Sequence, residues 1–150
     1  MIDLKFWVME LSKKRPSVKG ISHLAIAIES LDKVSNWVKM FNSDTKKYTS
    51  LEQGVNALVI KNDFCNIEFL EPLNEDSPIS NFLKKNPNGG LHHICFLVDN
   101  LEESLSFLKK EGIRNITRGK IKGILNGTPV AFMNPKDLSN ILIEFEEIKK

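Results

Sequence analysis

Four positions in this 150-residue chain have the residue types and spacing for metal chemistry. Two are histidines, His23 and His93, each near the head of an apolar run of strand length: "ISHLAIAI" at 21–28 and "LHHICFLV" at 91–98. Two are glutamates, Glu68 and Glu144, each the centre of an Ile-Glu-Phe triplet, in "NIEFLEP" and "ILIEFEE". Two imidazoles and two carboxylates suit one divalent transition-metal ion. A carboxylate inside a cupped sheet is costly unless something positive meets it. A cation gives both glutamates that partner.

Strand alternation places the four on one kind of face. Successive side chains of a strand point to opposite sides. Leu24, Ile26 and Ile28 therefore oppose His23, Ala25 and Ala27, and Ile94, Phe96 and Val98 oppose His93, Cys95 and Leu97. Ile67 and Phe69 oppose Glu68, and Ile143 and Phe145 oppose Glu144 and Glu146. In each strand the candidate ligand faces away from a bulky apolar set that must pack on helices. The small neighbours of the histidines leave room for a ligand. By the same alternation His92 points away from His93, toward the helices or a subunit surface.

The elements that carry these residues repeat. A shift of 70 (93 − 23) aligns His23 with His93, Glu29 with Asp99, Leu31 with Leu101 and Trp37 with Phe107. Each half reads as a strand, a helix and three further strands, an internal duplication. The first helix shows an apolar stripe at Leu31, Val34, Trp37, Val38 and Phe41, with Ser30 as its N-cap. The second shows Leu101, Leu105 and Leu108 on one face and stops at Gly112. The remaining strands are expected at 46–51, 55–61, 66–72, 113–117, 129–133 and 141–147, with a short linking helix inside "SPISNFLKKNPNGG". The fold class is α+β: two βαβββ modules, about 21–76 and 90–147, form a cupped mixed sheet around a metal site in a single domain over 21–150. Residues 1–20, "MIDLKFWVMELSKKRPSVKG", read as an N-terminal extension whose last part, 13–20, is a linker.

Composition excludes several classes. Net charge is +2, from 21 basic and 19 acidic residues, with no basic cluster interleaved with aromatics, so no nucleic-acid partner is expected. No apolar run reaches the ~18 residues of a membrane span, so no membrane partner is expected. The N-terminus places its apolar part before its basic part, the reverse of a secretory signal. The two cysteines, Cys65 and Cys95, sit in apolar runs with no ligand or disulfide spacing. That suits the reducing cytoplasm.

The chain resembles the vicinal-oxygen-chelate (glyoxalase/bleomycin-resistance/dioxygenase) superfamily over roughly residues 20–147, and within it the methylmalonyl-CoA epimerase family. The likeness is carried by "EQGV" (52–55), "IEFLEPLNEDSPISNFLKKN" (67–86), "GLHHICFLVDNLEESLSFLKKEGIR" (90–114) and "GTPVAFMNPKDLSNILIEFEE" (127–147). "EPLNEDSPI" is the most epimerase-like part, since metal ligation does not dictate it. The family's metal ligands fall on His23, Glu68, His93 and Glu144, the four that alternation selects. Residues 1–20 find no counterpart.

The resemblance implies a glyoxalase-like fold and one divalent ion (Co2+, Zn2+, Mn2+ or Ni2+). It implies an acyl-CoA substrate, a homodimer, and epimerisation of 2-methylmalonyl-CoA by 1,1-proton transfer through a metal-stabilised enolate. Glu144 becomes the candidate for one proton-transfer role. Some bacterial members carry a catalytic Glu five residues after the Glu of EQGV, where this chain has Ala57, and Glu52 is the substitute for that second base. Two further departures are Asn134, in "FMNPK" where the family has His, and Asn140, where it has Gly. Lys136 is a candidate contact for a CoA phosphate. The alternatives are a lactoylglutathione lyase-like isomerase and a non-catalytic small-molecule-binding member. A ring-cleaving iron dioxygenase would want two His and one carboxylate with open positions, which a fourth protein ligand opposes.

Overall fold

The computed structural model describes residues 15–117 and 119–149. The extension lies outside the described residues up to position 14. Thirteen elements follow in order. β1 (Val18–Ala27) leads through a 3-10 turn (Leu31–Val34) into α1 (Ser35–Phe41), then β2 (Thr45–Ser50), β3 (Val55–Ile60) and β4 (Asn66–Pro72). Helix α2 (Pro78–Lys85) links to β5 (Gly90–Val98), α3 (Leu101–Lys110), β6 (Ile121–Lys122), β7 (Pro129–Met133), a second 3-10 turn (Pro135–Asp137) and β8 (Ile143–Glu147).

The helix starts follow from local chemistry. Ser30 accepts the Asp32 amide, and Asn100 accepts the Glu103 amide at the head of α3. Glu102 and Glu103 lie in the first turn of α3 and Lys109 and Lys110 in its last, each favourable to the helix dipole. Ser77 accepts the Ile79 amide ahead of Pro78, whose fixed φ and missing N–H suit a first helical turn.

The eight strands form one sheet in the order β2-β3-β4-β1-β5-β8-β7-β6. β1 and β5 pair antiparallel at its centre, so the two modules join within one chain. Each module pairs its first and last strands in parallel, with Ala25 beside Glu68 and Cys95 beside Glu144. The two glutamates thus occupy equivalent rungs. The outer face of the first module packs Val34, Leu58, Ile60, Ile67 and Phe69 with Leu24, Ile26, Val38 and Phe41. The outer face of the second packs Val98, Leu101, Leu108, Ala131, Met133 and Phe145. A third cluster, Ala25, Ala27, Val55, Ala57, Leu70 and Ile79, lies on the inner face of the first module beneath α2. Alternation therefore sorted the bulky faces correctly.

Three expectations are corrected. β1 begins at Val18, so the last residues of the supposed linker belong to the sheet. Residues 113–117 do not form a strand; their pairing shrinks to one bridge, Asn115 with Met133. There Asn115 Oδ1 accepts the Thr117 amide and Thr117 Oγ1 accepts the Phe132 amide, so side chains take bonds a ladder would use. Arg114 is meanwhile held by a two-pronged bond to Asp137. The third correction concerns His92. β5 is irregular between Leu91 and His93, and the extra residue turns His92 onto the same side as His93, their Nδ1 atoms 2.9 Å apart.

Candidate metal centre

β1, β4, β5 and β8 bring the four candidate ligands around one small buried cavity, with His23, His93 and Glu144 mutually close and Glu68 approaching His23. His23, Glu68, His93 and Glu144 are each 5% exposed or less. Glu144 Oε2 lies 3.0 Å from the Nε2 of both His23 and His93, and Glu68 Oε2 lies 3.3 Å from His23 Nε2. The two Nε2 atoms are 3.2 Å apart. Nitrogens that close, with carboxylates on both sides, need a positive charge between them. His23, His93 and Glu144 each offer a ligand atom within 4.8 Å of the others. The set borders a cavity of about 10 Å³, about one water molecule's worth of space.

The electrostatics ask for the same charge. Burial alone would lower the His23 pKa, but the close approach of Glu144 and the charges of Glu68, Glu144 and Glu146 outweigh it and push His23 up to about 9. Burial would raise Glu144, but the approach of both histidines holds it well below the usual carboxylate range. Burial dominates at Glu68 and raises it despite the histidines. Glu68 Oε1 is buried with no hydrogen-bond partner, and Glu144 Oε2 meets the two rings off the directions of a well-formed bond. Two under-satisfied buried carboxylate oxygens beside two ring nitrogens, on glutamates that each approach a ring, fit a divalent ion.

A third carboxylate lies beside the set. Glu146 is 2% exposed and accepts from Ser22 Oγ at 2.6 Å, Thr128 Oγ1 at 2.7 Å and Asn126 Nδ2 at 3.2 Å. Sequence reasoning placed it on the Glu144 face and gave it no role. Its two-residue spacing from Glu144 was the available signal. Cys95 is fully buried nearby, and burial raises its thiol pKa. Neither cysteine is in a disulfide.

His93 also borders a larger pocket of about 320 Å³, whose walls include Val55, Leu70, Ile79, Ile116, Phe132 and Leu142. His92 lines it too, edge-on to Phe82 of α2, and burial followed by the charge of His93 lowers it to about 3. His92 is thus a neutral imidazole. Glu52 stands exposed in the wall of this pocket, accepting the Lys122 amide at 3.3 Å, and is not brought to the four ligands. Gln53, which sequence reasoning passed over, borders both cavities and donates to Lys122 O across the modules.

The remaining departures have local accounts. Ala57 is fully buried in the cluster under α2, so no titratable group comes from that position. Asn134 accepts the Lys136 amide and caps the second 3-10 turn. Asn140 holds φ +63°, a left-handed conformation that Asn adopts more readily than other side chains. Lys136 is exposed on the same turn. No helix among the described residues is long and apolar enough to cross a membrane.

Comparison with known proteins agrees with this architecture. Residues 22–132 match the family model of the glyoxalase/bleomycin resistance protein/dioxygenase superfamily. The chain is 37% identical over 129 residues to the mitochondrial methylmalonyl-CoA epimerase of Homo sapiens, covering 85% of this chain and 73% of that protein. It is 35% identical over 130 residues to an ethylmalonyl-CoA/methylmalonyl-CoA epimerase of Cereibacter sphaeroides, covering 85% and 97%. A variant of Streptomyces coelicolor methylmalonyl-CoA epimerase, solved with 2-nitronate-propionyl-CoA, superposes with a TM-score of 0.81 at 26% identity, covering 89% of this chain and all of that one. The chain therefore belongs to the methylmalonyl-CoA epimerase family of the glyoxalase/bleomycin resistance protein/dioxygenase superfamily.

Proposed function

We propose that this chain is an isomerase that interconverts the (R) and (S) forms of 2-methylmalonyl-CoA by 1,1-proton transfer, with a divalent cation held by His23, Glu68, His93 and Glu144. The observation that carries the reading is the meeting of two ring nitrogens and two under-satisfied carboxylates beside a mostly apolar pocket. When bound, Co2+, Zn2+, Mn2+ or Ni2+ supplies a Lewis acid that stabilises negative charge developing on the thioester oxygen.

The chain's own residues do the rest. The pocket walls hold the acyl end of the thioester and keep water from the α-carbon. Glu144 stays ionised within the ligand set and is the candidate to take the α-proton. Glu52, in the wall of the same pocket, is the candidate for the opposite face. The free thiols suit a reducing compartment, the cytoplasm, and a second copy of the chain is the proposed partner.

Incubation with racemic methylmalonyl-CoA in deuterated water tests the reading. Enzyme-dependent deuterium incorporation at the α-carbon is expected, lost on chelation and restored by one of the four ions. Stoichiometric metal without exchange would point instead to a lactoylglutathione lyase-like substrate or to a binding protein.

Glu68 gives a second expected result. Its pKa is raised, so it binds a proton more tightly folded than unfolded and its charge opposes folding above about pH 4.5. Glu68→Gln keeps the shape and removes the charge. The metal-free variant is expected to be more stable than wild type at pH 7, while zinc affinity falls. Denaturant titration and metal titration of the same preparations check both signs.

A further inference from the structure

Each candidate ligand histidine follows an irregularity in its strand, and the two irregularities occupy the same place in the repeat. On β1, Ile21 pairs with Phe96 and His23 with Cys95, so Ser22 is the extra residue. On β5, His93 pairs with Ala25 and Leu91 with Ile26, so His92 is the extra residue. Ser22 and His92 are 70 apart, the offset that relates His23 to His93. A bulge interrupts alternation. Here it turns the residue before each histidine onto the histidine's own face.

Both bulge residues meet the ring nitrogen that faces away from the ligand set. His23 points Nε2 at Glu68 and Glu144, and its Nδ1 lies 3.3 Å from Ser22 Oγ. His93 points Nε2 at Glu144, and its Nδ1 lies 2.9 Å from His92 Nδ1. A ring nitrogen that ligates a cation carries no proton, so each ring's proton belongs on Nδ1. The directions of the bonds follow. Ser22 has one hydroxyl proton and gives it to Glu146 Oε2 at 2.6 Å, because a carboxylate only accepts. Its oxygen is left to accept from His23 Nδ1. Glu146 is fixed in turn by Thr128 and Asn126. In the other module His92 Nδ1 accepts from His93 and keeps its own proton on Nε2.

We propose that Ser22, anchored by buried Glu146, and His92 are the positioning residues of the metal centre, each fixing the tautomer and ring plane of the histidine that follows it. This rests on the metal reading above. Ser22→Ala and His92→Phe remove the acceptor while leaving the fold's bulk nearly unchanged. Ser22→Thr and His92→Asn restore an acceptor oxygen.

The metal-free proteins are titrated with Zn2+ against a competing chelator, and the zinc-loaded proteins are followed by proton–nitrogen NMR of the imidazoles. Zinc affinity is expected to fall about 10–100-fold in the two acceptor-free variants and to recover in large part in Thr and Asn. The wild type is expected to show two protected Nδ1–H resonances, one of them lost in each acceptor-free variant. Wild-type affinity with both resonances intact in Ser22→Ala and His92→Phe would overturn the proposal. So would equal losses in the restored variants, since bulk and not the acceptor would then matter. A wild type that binds no zinc would overturn the metal reading and this inference together.

Discussion

His93→Ala is expected to abolish stoichiometric metal binding and to lower α-proton exchange by at least about 10²–10³-fold, the usual loss when a group stabilising developing negative charge is removed. His93 is the one ligand that borders both the ligand cavity and the acyl pocket. Its Nε2 meets Glu144 at 3.0 Å, and its ring packs edge-on to Phe132 with centroids 5.1 Å apart. Removing it leaves two buried carboxylates facing a single imidazole. His23→Ala is expected to give the same loss, because the modules place the two rings symmetrically about Glu144 Oε2. His92→Phe is expected to weaken binding without abolishing it, since His92 touches a ligand and is not one. Elemental analysis and the exchange rate, measured on each purified variant, check the order. A His93→Ala protein that keeps one equivalent of metal would show that the ion sits elsewhere.

The ligand set was legible because each ligand sits in a strand whose other face is unmistakably apolar. Leu24 and Ile26, Ile67 and Phe69, Phe96 and Val98, and Ile143 and Phe145 pack outward, which leaves one face for His23, Glu68, His93 and Glu144. The 70-residue offset then paired the halves. What alternation could not reveal is where it stops. A bulge adds one residue without changing residue types, so "SH" and "HH" look like ordinary strand neighbours. Alternation therefore puts His92 on the wrong face and gives no signal at Ser22. The strand expected at 113–117 failed for a related reason. Its Asn115 and Thr117 have strand-like spacing, but their side chains compete for backbone bonds that only the folded loop reveals. Glu146 was visible on the correct face, and only the structure shows the donors that hold it, Ser22, Thr128, Asn126 and the Cys95 thiol.

Phe69→Ala is expected to cost about 3–5 kcal/mol, the usual loss for emptying an aromatic site in a packed core. Phe69 is 1% exposed, sits among Leu58, Ile60 and Ile67, and meets the Trp37 ring of α1 at 5.3 Å. Through Trp37 it is one of the contacts between α1 and β4, and the residue before it is Glu68. Against a total stability of about 5–15 kcal/mol for a domain of this size, the loss leaves a marginal protein. Guanidinium unfolding is expected to show a lower midpoint with an unchanged slope, because the same surface is exposed on unfolding. The ligand residues are all present in this variant. Saturating it with zinc at about 100 times the dissociation constant is expected to return about 2.7 kcal/mol, because ligand binding to the native state alone adds RT ln(1 + [L]/Kd). The same zinc should return nothing to His93→Ala. A Phe69→Ala protein that loses less than about 1 kcal/mol would mean that the outer core does not set the stability of β4. One that loses the full amount but gains nothing from zinc would mean that Glu68 depends on Phe69 for its position.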